Sequence, residues 1–204
     1  MQRYYLQEAS SFSQYHHHCE PGCLEYILDR CAKTVIPNIQ RLCDATRLLG
    51  RPVVYLRLCG EEEDRSDLHH VFRKANERAA AAGFENLYPV ESDPFSEVIS
   101  EIAPKNGDIV LCKTTFSGFT TSDLPAAIER LGIKRLIFTG LATSQCVETT
   151  ARDAADRGIH VVHVEDAQAD YSETTHRASL YSSQGVCGGH IMDTQRVLEA
   201  SWFH

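Results

Sequence analysis

Two residues of this chain have the type and the setting that nucleophilic chemistry requires. Cys146 stands in TGLATSQCVETTARDA (139–154), where an apolar run turns into a helical pattern, and Lys113 closes the apolar run of GDIVLCK. A helix start presents main-chain N–H groups and the positive end of its dipole, and both favour a thiolate; a neighbouring ammonium favours it further. The tight GLATSQC turn can also aim N–H groups at a developing oxyanion. An opposite reading stands beside this one, because cysteine is among the most often buried residue types and a lysine at a strand end is often a surface residue. Position alone leaves both open. For the other cysteines, none of which has a strand-to-helix setting, burial is the simpler reading.

The elements that must hold these two residues alternate along the chain. VIPNIQRLCDATRLLG places Val35, Ile39, Leu42, Thr46 and Leu49 on one helical face, with Gly50 as a stop. RPVVYLRL reads as a strand, EEEDRSD (61–67) as a solvated loop, and FRKANERAAAAG as a helix ended by Gly83. GDIVLCK is a short buried strand, after which Ser122 can cap a helix carrying Leu124, Ile128 and Leu131 and stopped by Gly132. KRLIFTG is the next strand, and the cysteine segment leads into a helix ending at Gly158. IHVVHVE, ETTHRASLYSS and HIM predict strand, helix and strand, with Asp193 or Thr194 capping QRVLEASW. Strands of near-continuous apolar character alternating with helices predict an α/β fold with a parallel sheet. In such folds ligands bind at the carboxyl ends of the strands, which is where Lys113 and Cys146 fall.

With 204 residues, 43% of them hydrophobic, the chain suits a single domain (1–204) with its own core. The net charge is −8 and the basic residues are scattered, so nucleic acid is not an expected partner. No apolar stretch approaches the ~20 residues of a membrane helix, so no membrane partner is expected either. Eight cysteines at irregular spacing, several in apolar segments (Cys43, Cys59, Cys112), read as reduced thiols of a cytoplasmic protein rather than a disulfide framework. Cys19 and Cys23 follow His16, His17 and His18, which raises a metal site. The spacing fits no standard zinc pattern and the flanking residues read as a surface loop, so neither metal nor cofactor is expected.

The wording of the segments goes further than their positions. KTTFSGFTTSDLPAAIERLGIKRLIFTGLATSQCVETTARDAADRGIHVVHVEDA resembles the isochorismatase-like cysteine hydrolase superfamily along its length, and VIPNIQRLCDATRLLGRPVVYLR resembles that family's first helix and second strand. The resemblance implies a parallel sheet wrapped by helices in three α-β-α layers. It also implies cleavage of a small C–N bond, as in nicotinamide, carbamoylsarcosine, ureidoacrylate or biuret. Carried over, Cys146 is the nucleophile that forms a thioester and Lys113 holds the thiolate. The N–H groups of Ala142 and Cys146 form the oxyanion hole, with a cis peptide at Leu141–Ala142, and Gln2 and Phe119 line the substrate pocket. A cysteine at this turn leans towards amides and ureides rather than the vinyl ether of true isochorismatases. The Asp-x-His metal motif of nicotinamidases has no counterpart in RLCGEEEDRSDLHH, where His69 and His70 read as helix surface.

One family feature is missing from the sequence. The family's catalytic aspartate ends its first strand, followed by x-Gln, and the opening MQRYYLQ matches only the x-Gln, at Met1 and Gln2. The aspartate and the strand are therefore expected upstream of Met1, and without that strand VVYLRL and IVLCK are expected to expose apolar edges. Glu8 and Glu20 fall in the following loop, and Asp166 reads as a structural cap. The resulting reading is a cysteine-dependent C–N hydrolase, with a truncated or catalytically impaired binding member as the alternative. A sensor thiol at Cys146, resolved by Cys187, is a third reading. The resemblance also implies a homo-oligomer, a dimer or tetramer.

Overall fold

In the computed structural model, which describes residues 1–188 and 190–204, four helices come first: α1 (Arg3–Leu6), α2 (Ser11–Cys19), α3 (Glu25–Arg30) and α4 (Ile36–Leu48), the last two joined by a wide turn over Cys31–Val35. Strand β1 (Val54–Leu58) and α5 (His70–Ala81) follow, then β2 (Ile109–Lys113), α6 (Gly118–Thr121) and α7 (Leu124–Leu131). Strand β3 (Arg135–Leu141) passes through a second wide turn, Thr143–Val147, into α8 (Glu148–Asp156). Next come β4 (His160–Ala169), α9 (Glu173–Cys187), β5 (His190–Met192) and α10 (Thr194–Glu199).

Every strand pair is parallel, with β1 against β2 and β3, β4 and β5 in a second ladder. Side chains alternate across a strand, and that alternation builds the layers. Tyr55, Val162 and Val164 face a core shared with Ile39 and Leu42 of α4 and Val197 of α10. Val54, Leu56 and Val161 face the other way, towards Leu124 and Ile128 of α7 and Ala151 and Ala154 of α8. The result is the expected three-layer α/β fold. Among the described residues no helix is long and apolar enough to cross a membrane.

Four expectations change. The histidine-rich stretch is not a loop but α2, because Ser10 caps it, its Oγ accepting from the Ser13 N–H at 3.1 Å, and Phe12 anchors it in the core at 1% exposure. Helix α4 is entered from α3 through the wide turn, and Leu49, expected on its apolar face, lies past its last turn and is exposed. Cys59 and Cys112 are joined as a disulfide, where reduced thiols were expected; adjacent parallel strands bring their Cα atoms to 6.2 Å. Finally, β1 and β2 pair with each other and each keeps one unpaired edge, but β3, which pairs only with β4, has one as well, which was not expected.

The entry to β1 and β2 is fixed by one buried carboxylate. Asp108 accepts from Arg47 Nη2 at 2.6 Å, from the Val53 N–H at 3.3 Å and from the Lys105 N–H at 2.8 Å, and its side chain is only 2% exposed. It ties α4 to the starts of both strands, and removing it leaves the Arg47 guanidinium with only the exposed Asp44, 3.5 Å away, as a charge partner. Asp108→Ala is expected to lower the unfolding free energy by about 3 kcal/mol, as for other broken buried pairs. Urea unfolding measures this, and a loss below about 1 kcal/mol would mark the contact as an ordinary surface ion pair.

Candidate active site

Lys113 ends β2 and Cys146 lies in the wide turn after β3, so the two residues reach each other across the carboxyl ends of different ladders. Lys113 Nζ donates to Cys146 Sγ at 3.3 Å and to the Thr115 carbonyl at 2.7 Å, and the lysine is 3% exposed. An ammonium in such a place is costly unless it is paired and hydrogen-bonded. Among the described residues no carboxylate stands within ion-pair distance of it.

The cysteine turn is held from three sides. The Ala142 carbonyl accepts from the N–H groups of Gln145 and Val147 at 3.1 and 3.3 Å, and Thr150 Oγ1 donates to the Cys146 carbonyl at 2.6 Å. The Leu141–Ala142 peptide is cis, at the place the resemblance implies. The fully buried Asp170 accepts from the Ser144 N–H at 2.6 Å and from the Tyr171 N–H at 2.8 Å.

Thr143 Oγ1 donates to the Ala169 carbonyl at 3.0 Å, so it can only accept from His176 Nδ1, 2.8 Å away. That leaves His176 Nε2 as the acceptor for Arg30 Nη2 at 3.1 Å. The network therefore selects neutral imidazole with its proton on Nδ1. Burial, reinforced by the Arg30 charge, lowers the His176 pKa to about 4.

Three tyrosines lie within electrostatic reach of the sulfur. Burial pushes Tyr4, Tyr88 and Tyr171 up, Tyr171 to about 12, and in each case the charge of Cys146 adds to the shift. They form a neutral, aromatic surrounding with hydroxyl groups, Tyr4 and Tyr88 standing edge to face at 5.8 Å between ring centroids. Phe12 of α2 packs edge-on against Tyr4 at 5.5 Å, so the histidine-rich helix supports this wall from behind. No composition or spacing signal in the sequence reading pointed to these tyrosines, to Asp170 or to His176, because they meet only through the fold.

Other residues singled out from the sequence sit elsewhere. The Gln2 amide is committed to the main chain: Nε2 donates to the Leu58 and Ser96 carbonyls at 3.0 and 2.7 Å, and Oε1 accepts from the Leu58 N–H at 2.8 Å. Phe119 turns inward from the cap made by Ser117 Oγ and packs with Leu124, Ala151 and Val161, the Arg157 guanidinium lying 4.9 Å over its ring. It belongs to the core under α7 and α8 rather than to the surroundings of Cys146. Asp166 accepts from both the Thr194 N–H and Oγ1 at 2.8 Å, tying β4 to α10. His69 caps α5, accepting from the Val71 N–H at 3.4 Å. Cys187 Sγ contacts Ser183 Oγ at 3.3 Å and borders a cavity of about 260 Å³ beside Arg135 and His160. Among the described residues no three His, Cys, Asp or Glu side chains cluster as a metal site.

A family model of the isochorismatase domain matches residues 29–196, a span that contains Lys113, the cysteine turn and every strand. The chain belongs to the isochorismatase family. It is 41% identical over 167 residues to the ureidoacrylate amidohydrolase RutB of Variovorax paradoxus (strain S110), covering 77% of this chain and 65% of that relative, so it spans just under two thirds of that protein. Among solved structures, a cysteine hydrolase from Pseudomonas syringae pv. phaseolicola 1448A is similar with a TM-score of 0.75 and 25% identity, covering 97% of this chain and 87% of that one. N-carbamoylsarcosine amidase from Thermoplasma acidophilum is similar with a TM-score of 0.64 and 26% identity, over 84% of this chain and 91% of that one.

The buried histidine makes the family's cysteine turn sensitive to acid. An unfolded chain takes up the His176 proton at the ordinary value, about 6.5, while the folded chain resists it down to about 4. The stability contributed by neutral His176 is therefore complete above about 6.5 and lost as pH falls towards 4. Thermal unfolding followed from pH 7 to 4.5 is expected to show a falling midpoint, and a shallower fall in His176→Gln. An unchanged slope in that variant would assign the loss to other groups.

Proposed function

We propose that this chain is a cysteine-dependent hydrolase that cleaves the C–N bond of a small amide, ureide or carbamoyl compound. The observation that carries the proposal is the contact between Lys113 Nζ and Cys146 Sγ at 3.3 Å, at the carboxyl ends of β2 and β3. The names of the family members described above, a ureidoacrylate amidohydrolase and an N-carbamoylsarcosine amidase, support C–N chemistry on ureides and carbamoyl compounds.

In this reading Cys146 Sγ attacks the carbonyl carbon, and the charge moves to the carbonyl oxygen, facing the N–H groups of Ala142 and Cys146. The C–N bond breaks, the nitrogen leaves with a proton, and a thioester remains on Sγ. Water then attacks the thioester, which releases the acid and restores the thiol. Lys113 keeps its ammonium against the sulfur throughout, and the neutral tyrosines favour an uncharged, planar substrate group. The resemblance gives the proton transfers to an aspartate.

A second reading, a chain that binds such compounds and turns them over poorly, is favoured by one observation: no carboxylate among the described residues stands beside Lys113. Loss of a general base costs on the order of 10²–10⁴ in rate. Ammonia release from a panel of amides and ureides separates the two readings. Activity is expected to fall by on the order of 10³-fold or more in Cys146→Ser and to persist in Cys187→Ser. A substrate-derived acyl mass on the Cys146 peptide would support the thioester. Activity that survives Cys146→Ser would remove this cysteine from the mechanism.

A further inference from the structure

One covalent bond lies beside Lys113 and takes no part in the hydrolytic steps. Cys59 follows β1, Cys112 is the next-to-last residue of β2, and a disulfide joins them across a sequence separation of 53. Register sets it next to the lysine: Arg57 pairs with Cys112 and Leu58 with Lys113, so Cys59 comes one step further on. The Cys59 N–H donates to the Lys113 carbonyl at 3.2 Å. Successive side chains alternate along a strand, so the cross-link lies on one face of β2 and the Lys113 side chain leaves from the other.

The end of β2 is a place where such a tie has an effect. Strand β2 pairs with β1 alone, so its main chain is held from one side. Two of the main-chain contacts around Lys113 come from a single segment, 59–69. One is the Cys59 N–H, and the other is the His69 N–H, which donates to the Thr114 carbonyl at 2.9 Å. Residues 61–64 of that segment are exposed. The disulfide fastens the segment's first residue to the residue before Lys113, and a cross-link of this kind excludes the open states in which a strand end frays. The pair also accommodates its reduced form. Cys112 Sγ lies 3.3 Å from the Cys59 carbonyl oxygen and Cys59 Sγ 3.9 Å from that of Arg57, so each thiol proton has an acceptor. Cys59 is fully buried and Cys112 half-buried, so an incoming thiol meets Cys112 first.

We propose that the Cys59–Cys112 pair is a thiol-controlled lock on Lys113. Closed, it keeps the ammonium against the Cys146 sulfur; opened by a small thiol of the glutathione class, it frees the end of β2 and loosens that contact. In the opening step a glutathione thiolate attacks the Cys112 sulfur, the S–S bond breaks, and Cys59 leaves as a thiolate that takes up a proton. A second glutathione then releases Cys112, so two glutathione thiols become one glutathione disulfide while the chain gains two thiols. Closing is the reverse, with glutathione disulfide as the oxidant. The lock regulates the site on which the hydrolase reading rests, but the placement of Lys113 can be measured without turnover.

The test therefore reads thiols, amides and one amine, and it can fail or succeed independently of the hydrolase reading. The chain is equilibrated in mixtures of glutathione and glutathione disulfide, and the masses of the Cys59 and Cys112 peptides give the fraction carrying the bond. Fully bonded and fully reduced chains, freed of glutathione, are then compared by amide exchange at Cys59 and by acetylation of Lys113 with acetic anhydride. Both are expected to be faster in the reduced chain, on the order of 10-fold or more, with exchange at Val162 of β4 unchanged. Cys59→Ser, which cannot form the bond, is expected to match the reduced chain in every mixture. If that variant does not fold, the reduced wild-type chain carries the same comparison. Cysteines 59 and 112 that stay thiols in glutathione disulfide would overturn the proposal. So would Lys113 acetylation that is equal in the two chains, or an acceleration at Val162 as large as at Cys59, which would make the bond a general staple.

Discussion

A single contact, the Lys113 ammonium against the Cys146 sulfur, spans two ladders that share no strand-to-strand hydrogen bond. Each partner is placed by its own half of the fold. The register of β1 with β2 sets where Lys113 ends, and the pairing of β3 with β4 sets where the cysteine turn begins. The two halves must therefore be held in relation by packing, since no ladder joins them. Helix α4 and the aromatic cluster of Tyr4, Tyr5 and Phe12 lie in the core that also takes Tyr55 from one ladder and Val162 and Val164 from the other. On the opposite face, Leu124 and Ile128 of α7 lie with Val54 and Leu56 of one ladder and Val161 of the other.

Burying the ammonium makes this placement exacting. A lysine at 3% exposure keeps its charge only where acceptors replace water, and the Thr115 carbonyl and the sulfur are two such acceptors. Tyr4, Tyr88 and Tyr171 lie within electrostatic reach of that sulfur, and burial keeps them protonated. The site thus joins one positive group and one soft sulfur, with neutral phenols in electrostatic reach.

Much of this was legible in the sequence because it rests on local rules. Near-continuous apolar runs located the strands and period-3.6 patterns the main helices, and Gly50 and Gly132 stop helices at φ of 67° and 63°, a conformation that glycine adopts without strain. Cys146 and Lys113 were legible because strand ends followed by helix starts can be read along the chain. What escaped depends on register or on packing at a distance. Helix α2 reads as a loop until Phe12 is seen to be buried among the tyrosines, and polar residues at 165, 166 and 168 hide the length of β4. The Cys59–Cys112 pairing needs the strand register, and Phe119 was assigned to the pocket by resemblance although the Ser117 cap turns its ring into the core.

The turn carrying Cys146 depends on residues far from it in sequence. Arg30 of α3 reaches three acceptors at the end of β4 and on α9, namely the Glu165 and Gln168 carbonyls and His176 Nε2, at 2.8 to 3.1 Å. The fixed imidazole then donates to Thr143, the first residue of the turn, while Asp170 holds the next N–H, that of Ser144. Each member has one role open to it, since Arg30 can only donate and the Thr143 proton is already given to Ala169. These fixed roles leave the His176 proton one place, Nδ1, and the low-dielectric setting makes a misplaced proton expensive. The precision of the cysteine turn is therefore set by the polar seam between α3, β4 and α9 as much as by the turn's own sequence.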